Sequence, residues 1–521
     1  MENQLIKIID RLPDGVVRQF LKRNAKYSSA VAILVAGYFV TSRLYRVYFG
    51  PLSKIPGTFF DTFFDMPFLY YNLPLGTRYK RMIGLHQKYG RVVRTTGHTI
   101  TISDKDMIKQ VLHDDDLPKA WAYKNLQLEG HQTMFNTLDK DFHKTRRRVV
   151  SPAFSVKYLA ALEHLISDSV GEFVQHINSA VDTAHLHNQP SAEVDMWRLL
   201  QFTALDVIGA TAFDQSFNMV KDGSHPLPAT ITRNLTNAAF TGAVSNELIN
   251  VASEYFEDLL YCNRQDQSQF WFMVGIIEER LKSGKRKNDI LQILIDSQNA
   301  ELKNDRLNNE DIVHENILFL IAGSETTSNT IGFAIIHLLE HPEALALLRE
   351  ELDSVYPRNG SNVRFEHEDL KNLPYLNAVI NETMRIKPVA MGGLPRETDR
   401  DYILGGKYHI PKNIMISADI YACQVDPEYW PEPLAFKPER WLEGSEIPAD
   451  KDAFFPFSSG SRNCIGKNFA WMEMRLLLSS FVYNFNFDPV PESVEDAKDL
   501  RQFITYTIAS NSYKVKVTKR H

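Results

Sequence analysis

The sequence predicts a mainly α protein with a smaller β-rich part, and three observations carry that reading. Apolar residues recur at helical spacing through most of the chain after residue 103, and the longest such pattern runs over 308–340. Strand signals are confined to short stretches, chiefly 91–103 and 505–518, each divided by a turn signal. No fixed-period repeat, low-complexity tract or Gly-x-Gly-x-x-Gly phosphate loop competes with this pattern.

At 521 residues the chain is long enough for two or three domains by size alone. A net charge of -6 with pI near 6.3 leaves no basic footprint, which argues against a nucleic-acid partner. The three cysteines, Cys262, Cys423 and Cys464, are odd in number and far apart, so they form no disulfide framework and suit a reducing compartment. No Cys-x-x-Cys pair supports zinc or an iron–sulfur cluster. His337 and His341 stand four apart, but Leu338 replaces the glutamate of a His-Glu-x-x-His site, and the pair reads as accidental.

Residues 1–26 form an amphipathic, basic segment suited to a membrane surface. Residues 27–49 are the expected membrane anchor. Its first part, 27–42, carries no charge, and because a bilayer core takes about 20 apolar residues, a full span requires Arg43 and Arg46 to snorkel. A buried core helix is the plain alternative. Pro51, Pro56 and Gly57 punctuate 50–57 as a hinge, after which 58–521 forms the main body of the chain. Basic residues flank the anchor almost equally, so they set no orientation.

Residues 91–103 read as a hairpin turning at Gly97 and His98. The run from Asp141 to Arg148 is a basic helix whose ordinary reading is a solvated face. In 308–340, Asn308 can cap, Glu310 and Asp311 suit the first turn, and His341-Pro342 ends the helix. Its middle is apolar on nearly all sides, so it should be buried, where Gly323 and Glu325 are costly. A groove for a neighbouring element is the bland account of its small residues. Pro374 opens a further helix and Pro388 closes it, with Glu382 and Arg385 at i and i+3, alone a surface pair. The last signal is a hairpin of 505–510 and 513–518 around Asn511-Ser512.

The chemistry centres on residues 457–466. A thiol near its ordinary pKa is mostly protonated at neutral pH, so Cys464 needs help to become a ligand. A helix beginning immediately after it, holding the cysteine in its first turn, would favour the anion through its free amides and dipole. Gly460 and Gly466 allow a tight loop and close approach to a flat ligand, Arg462 supplies a nearby cation, and Phe457 covers the sulfur. The bland alternative is a buried free cysteine.

Phe457-x-x-Gly460-x-Arg462-x-Cys464-x-Gly466 resembles the haem-binding signature of the cytochrome P450 family at every fixed position. Ala322-Gly323-x-Glu325-Thr326-Thr327 resembles that family's oxygen-binding motif, and Glu382-x-x-Arg385 with Pro438-Glu439-Arg440-Trp441 resembles its structural pair. The resemblance covers about residue 50 to the end and implies one mainly helical catalytic domain instead of two or three. It makes Cys464 the iron's thiolate ligand, a ligation that in this family favours O–O cleavage. It implies Thr326 hydrogen-bonding the oxygen species, Glu325 in proton delivery, and Ala322 and Gly323 lying over haem b. Arg462, Arg396 and Arg147 are implied to meet the haem propionates. His143 stands where the family has tryptophan, and its own propionate contact is carried over on position. Glu382, Arg385 and Arg440 would support the cysteine loop.

The implied activity is insertion of one oxygen atom from dioxygen into a lipophilic molecule of steroid-like, terpenoid, fatty-acid or xenobiotic type. The alternatives are a haem-thiolate isomerase or lyase acting on a hydroperoxide and a non-catalytic haem-binding protein. Because no nucleotide-binding loop occurs in the chain, NADPH electrons would come from a separate flavoprotein reductase, with cytochrome b5 a second candidate donor. Lys140, Lys144, Arg146, Arg147, Arg148 and Lys467 would offer that reductase a positive face. The anchor implies the endoplasmic reticulum membrane with the catalytic part in the cytosol. Proline-rich 51–57 resembles the hinge of membrane-bound, particularly fungal, members.

Overall fold

The computed structural model describes residues 25–65, 76–127, 130–241, 268–358 and 363–521. The amphipathic segment up to residue 24 and residues 242–267, Cys262 among them, lie outside them.

Helices dominate, as the periodicity predicts. We label α1 Ala25–Tyr48, α2 Lys140–Val150, α3 Val156–Leu186, α4 Met196–Phe213, α5 Asn309–Glu340, α6 Pro374–Ile386 and α7 Lys467–Asn484. α5 is the central strut, packed against α4, α6 and α7. Its start is set by a full capping box, in which Asp311 N donates to Asn308 Oδ1 at 2.7 Å and Asn308 N donates back to Asp311 Oδ2 at 3.1 Å. Gly323 has a packing reason: a Cβ there would collide with Ile208 of α4.

The strands are β1 Val92–Arg94, β2 Thr99–Ile102, β3 Ala192–Asp195, β4 Leu394–Glu397, β5 Tyr402–Leu404, β6 Tyr408–Ile410, β7 Met415–Ala418, β8 Phe485–Pro489, β9 Leu500–Gln502, β10 Tyr506–Ile508 and β11 Lys514–Lys519. The largest sheet has the order β1-β2-β7-β4, with β2 and β7 parallel and both outer pairs antiparallel. The expected hairpin at 91–103 is its β1–β2 edge. Arg396 lies within β4.

The C-terminal hairpin does not form. Asn511 does turn the chain, with φ 49°. The two arms then separate: β10 pairs with β9, while β11 inserts between β3 and β8. The local turn signal loses to longer-range pairing, since Val515 and Val517 are completely buried in the three-stranded sheet.

α1 occupies the expected anchor and turns Leu34, Val35 and Tyr38 outward. Among the described residues, however, no single helix is long and apolar enough to cross a membrane. Arg43 and Arg46 are both held by the protein itself. Both pair with Asp65, at 2.8 and 3.0 Å, and Arg94 Nη2 donates to the Arg46 carbonyl at 2.9 Å, so the end of α1 is docked on the body of the protein.

Candidate haem-thiolate site

Cys464 sits in the loop ahead of α7, outside the helix's first turn, which begins at Lys467 behind the cap residue Gly466. The loop reverses on two left-handed residues, Ser458 at φ 62° and Gly460 at φ 73°. At Gly460 the requirement is absolute, because a Cβ would run into the backbone carbonyl of Leu112. Cys464 N donates to the Phe457 carbonyl at 2.9 Å and closes the turn. Gly466 needs no unusual φ; its missing Cβ leaves open space 3.9 Å from the cysteine sulfur.

Cys464 is exposed by surface area, yet protein surrounds it so fully that burial pushes its thiol upward in pKa. The two facts together place the sulfur on the wall of an interior cleft. The Gly466 amide, Arg147 and Lys467 pull the thiol the other way. They do not overcome burial, and a metal ion at the sulfur would favour the thiolate further.

The opposite wall is α5. Between Ile312 and Ile335 every side chain is buried except a stripe of Leu318, Ile321, Ala322, Gly323 and Thr326. Positions 318, 322 and 326 are each four apart and therefore share one face. Ala322 is the fully exposed member, deep within an otherwise buried helix. Phe319 packs edge-on against Phe154 at 5.6 Å, and Phe154 reaches the Gly466 turn, so these rings join the two walls.

Glu325, next to this stripe, is buried and its Oε1 accepts from Thr232 Oγ1 at 3.3 Å. Burial raises its carboxyl to about 7, against the hydrogen bonds from Thr232 and Asn329. It can therefore hold or release a proton near neutrality. Thr326 Oγ1 donates to the Ala322 carbonyl at 2.7 Å, which leaves its oxygen lone pairs on the cleft side.

A set of cations meets at one edge. Arg396 is 1% exposed, and its Nε has no hydrogen-bond partner among the described residues. Lys119 pairs with Arg396 across a β-bridge. Burial, then Arg396 and Arg462, lowers the Lys119 ammonium well below its ordinary value. Burial, then Arg462, Lys119, Arg147 and Arg396, pushes His143 down to about 3, which makes it a neutral imidazole. Arg462 is anchored by the carbonyls of Thr137 and Asp139 at 3.1 and 3.2 Å. Buried like charges repel unless anions balance them. The edge is thus built for a multiply anionic ligand. Lys119 is the member that sequence reasoning missed, since a single lysine in an apolar segment carries no motif.

Arg147, one turn on from His143, has both terminal nitrogens on Asn463, one to the carbonyl at 2.8 Å and one to Oδ1 at 2.6 Å. It fastens the cysteine loop to α2. The proposed positive docking face is also smaller than expected. Arg146 is buried and pairs with Asp311 at 2.5 Å, because successive helical residues point about 100° apart and a run of four cannot share a face. Lys140, Lys144, Arg148 and Lys467 remain exposed, with Lys140 paired to Asp116 and Arg148 to Asp305.

Behind the loop, Glu382, Arg385 and Arg440 are wholly buried, not the surface pair that spacing alone suggests. Arg385 grips Glu382 bidentately at 2.7 and 2.9 Å, Arg440 Nε donates to it at 3.2 Å, and Trp441 Nε1 adds a bond of 3.0 Å. Each remaining Arg385 Nη1 bond goes to a loop carbonyl, of Gln424 at 2.9 Å and Pro433 at 2.7 Å.

A cleft with a lone cysteine on one wall, a small-residue helix stripe on the other and buried cations at its edge defines a haem-thiolate protein. The residues fit that group: the orphaned Arg396 Nε and the gathered cations suit carboxylates, and a cysteine on the cleft wall is a donor for iron. The cytochrome P450 family model matches residues 63–517, and the chain belongs to that family. It is similar to the cytochrome P450 monooxygenase acrD of Aspergillus aculeatus, 32% identical over 88% of this chain and 90% of the relative. It is similar also to the cytochrome P450 monooxygenase FUS8 of Gibberella fujikuroi, 30% identical over 97% of both chains. The trichothecene C-15 hydroxylase of Fusarium sporotrichioides is 27% identical over 86% of this chain and 90% of its own. The protein is accordingly a cytochrome P450 monooxygenase, an oxidoreductase of a family that binds haem iron.

Proposed function

We propose that the protein hydroxylates a lipophilic, largely neutral small molecule, using dioxygen and electrons passed from NADPH through a separate flavoprotein reductase. What carries the reading is the convergence of Cys464, the α5 stripe and the buried cations on one cleft. The bound haem would supply oxygen activation, with Cys464 as its protein ligand. Arg396, Arg462 and Lys119 would hold its carboxylates, with neutral His143 beside them. Arg147 keeps the Cys464 loop in place through Asn463. Ala322 leaves room on the α5 side, and Phe457 and Phe154 keep water from the sulfur. Thr326 presents a hydroxyl to the reacting molecule, and Glu325, with its pKa about 7, hands a proton towards it.

The trichothecene hydroxylase among the relatives supports hydroxylation of a lipophilic small molecule. Exposed Lys144 and Lys467 suit an acidic electron donor, the reductase first and cytochrome b5 second. The outward apolar side chains of α1 support attachment to a membrane surface, with the endoplasmic reticulum as the compartment.

The test is spectroscopic and catalytic. The reduced, carbon-monoxide-bound protein should show the thiolate-type Soret shift, and Cys464→Ala should lose it. Turnover of a panel of steroids, terpenoids and fatty acids should require both NADPH and reductase. Product formed from a hydroperoxide alone would point to an isomerase or lyase instead.

A further inference from the structure

Outside the cleft, the first turns of α5 meet the segment 130–139 in a cluster of metal-type donors. His131, from that segment, stacks on His314 of α5 with ring centroids 4.1 Å apart and planes 12° from parallel. Glu310 and His314 are four residues apart on α5 and so lie on one face. The donor atoms of His131, Glu310 and His314 all fall within 4.8 Å of one another. Tetrahedral zinc with bonds of roughly 2.0–2.1 Å sets its donors about 3.3 Å apart. Convergence on one ion needs the half-buried His131 ring to turn out of that stack, because imidazole lone pairs lie in the ring plane, and the largely exposed Glu310 carboxylate to rotate inward.

The surroundings are those of a supported ligand set. His131 Nδ1 lies 3.5 Å from Glu310 Oε1, and its Nε2 lies 3.3 Å from Asp311 Oδ1. A carboxylate on the second ring nitrogen orients a metal-binding histidine and raises its basicity. Asp311 is itself held ionised by Arg146 and the Asn308 cap, below the ordinary carboxylate range despite burial. Two imidazoles and a carboxylate are borderline donors of the zinc type. Among the described residues the other such group, His337 with Glu340 and His341, is drawn from a single helix end.

We propose that His131, Glu310 and His314 form a zinc-class divalent metal site that ties segment 130–139 to the start of α5. The same segment presents the Thr137 and Asp139 carbonyls to Arg462, and Met134 N donates to Glu315 at 2.9 Å. Metal binding would therefore stiffen one edge of the cleft without touching it.

The test uses the full-length holoprotein and zinc chloride, with bound zinc measured by equilibrium dialysis and elemental analysis. One zinc per chain beyond the iron is expected. His131→Ala and Glu310→Gln should each weaken binding tenfold or more, while His341→Asn leaves it unchanged. Zinc should also slow amide hydrogen exchange in 130–139. The carbon-monoxide spectrum shows that each variant is folded. Absence of stoichiometric zinc, binding indifferent to His131 and Glu310, or loss only in His341→Asn would overturn the proposal.

Discussion

Glu325→Gln keeps the size of a buried side chain and removes its charge. Burial lifts the Glu325 carboxyl from 4.5 to about 7. At 1.36 kcal/mol per pH unit that gap corresponds to roughly 3 kcal/mol. The sign follows from proton binding. The folded protein holds this proton more tightly than the unfolded chain, so the stability of the natural protein relative to the variant is greatest below about pH 4.5. It declines as pH rises towards about 7 and is then constant. Paired denaturant unfolding of the two proteins, in steps from pH 5 to 8, should show the difference in stability shrinking or reversing by about 2–3 kcal/mol. Other buried acids such as Glu315 cancel in the comparison, because both proteins keep them. The same variant should divert more reducing equivalents into peroxide, since an amide cannot pass a proton. Parallel stability curves would show that Glu325 does not titrate in this window, and unchanged peroxide yield would remove it from proton delivery.

Arg396→Leu should speed haem loss to an acceptor globin about tenfold or more, by removing a cation 1% exposed at the carboxylate edge; an unchanged rate would place the propionates elsewhere. Arg440→Ala leaves part of the buried Glu382 charge uncompensated and should cost about 3–5 kcal/mol in denaturant unfolding, where a surface ion pair would cost under about 1. Gly460→Ala should lose roughly 2 kcal/mol or more, because a left-handed φ of 73° is combined with a clash on Leu112, and its carbon-monoxide spectrum should show a smaller thiolate-type fraction.

Some of the molecule was legible residue by residue. Asn308 caps α5, Pro374 opens α6, Gly97 and His98 turn the β1–β2 hairpin, and Cys464 lies in a glycine-pinned loop ahead of a helix. These are local decisions, made by side chains within a few residues of where they act. The motifs around Cys464, Thr326 and Arg440 likewise identified the family, because their spacing is itself the signal.

Tertiary structure decided the rest. The turn at Asn511 was real, but its arms went to two different sheets, since distant strands offered β11 burial on both flanks. Arg146 and Arg147 are neighbours in sequence and serve opposite sides of α2, one on Asp311 and one on the Asn463 loop. Arg43 and Arg46 found Asp65, a partner outside their own helix. Lys119 acquired its place only when β4 brought Arg396 beside it. What sequence determined by itself was the chemistry of single positions: a thiol, a buried acid, cations and small residues at fixed intervals. Which of those groups face one another is a long-range matter, because a charge finds its partner through the fold and not along the chain.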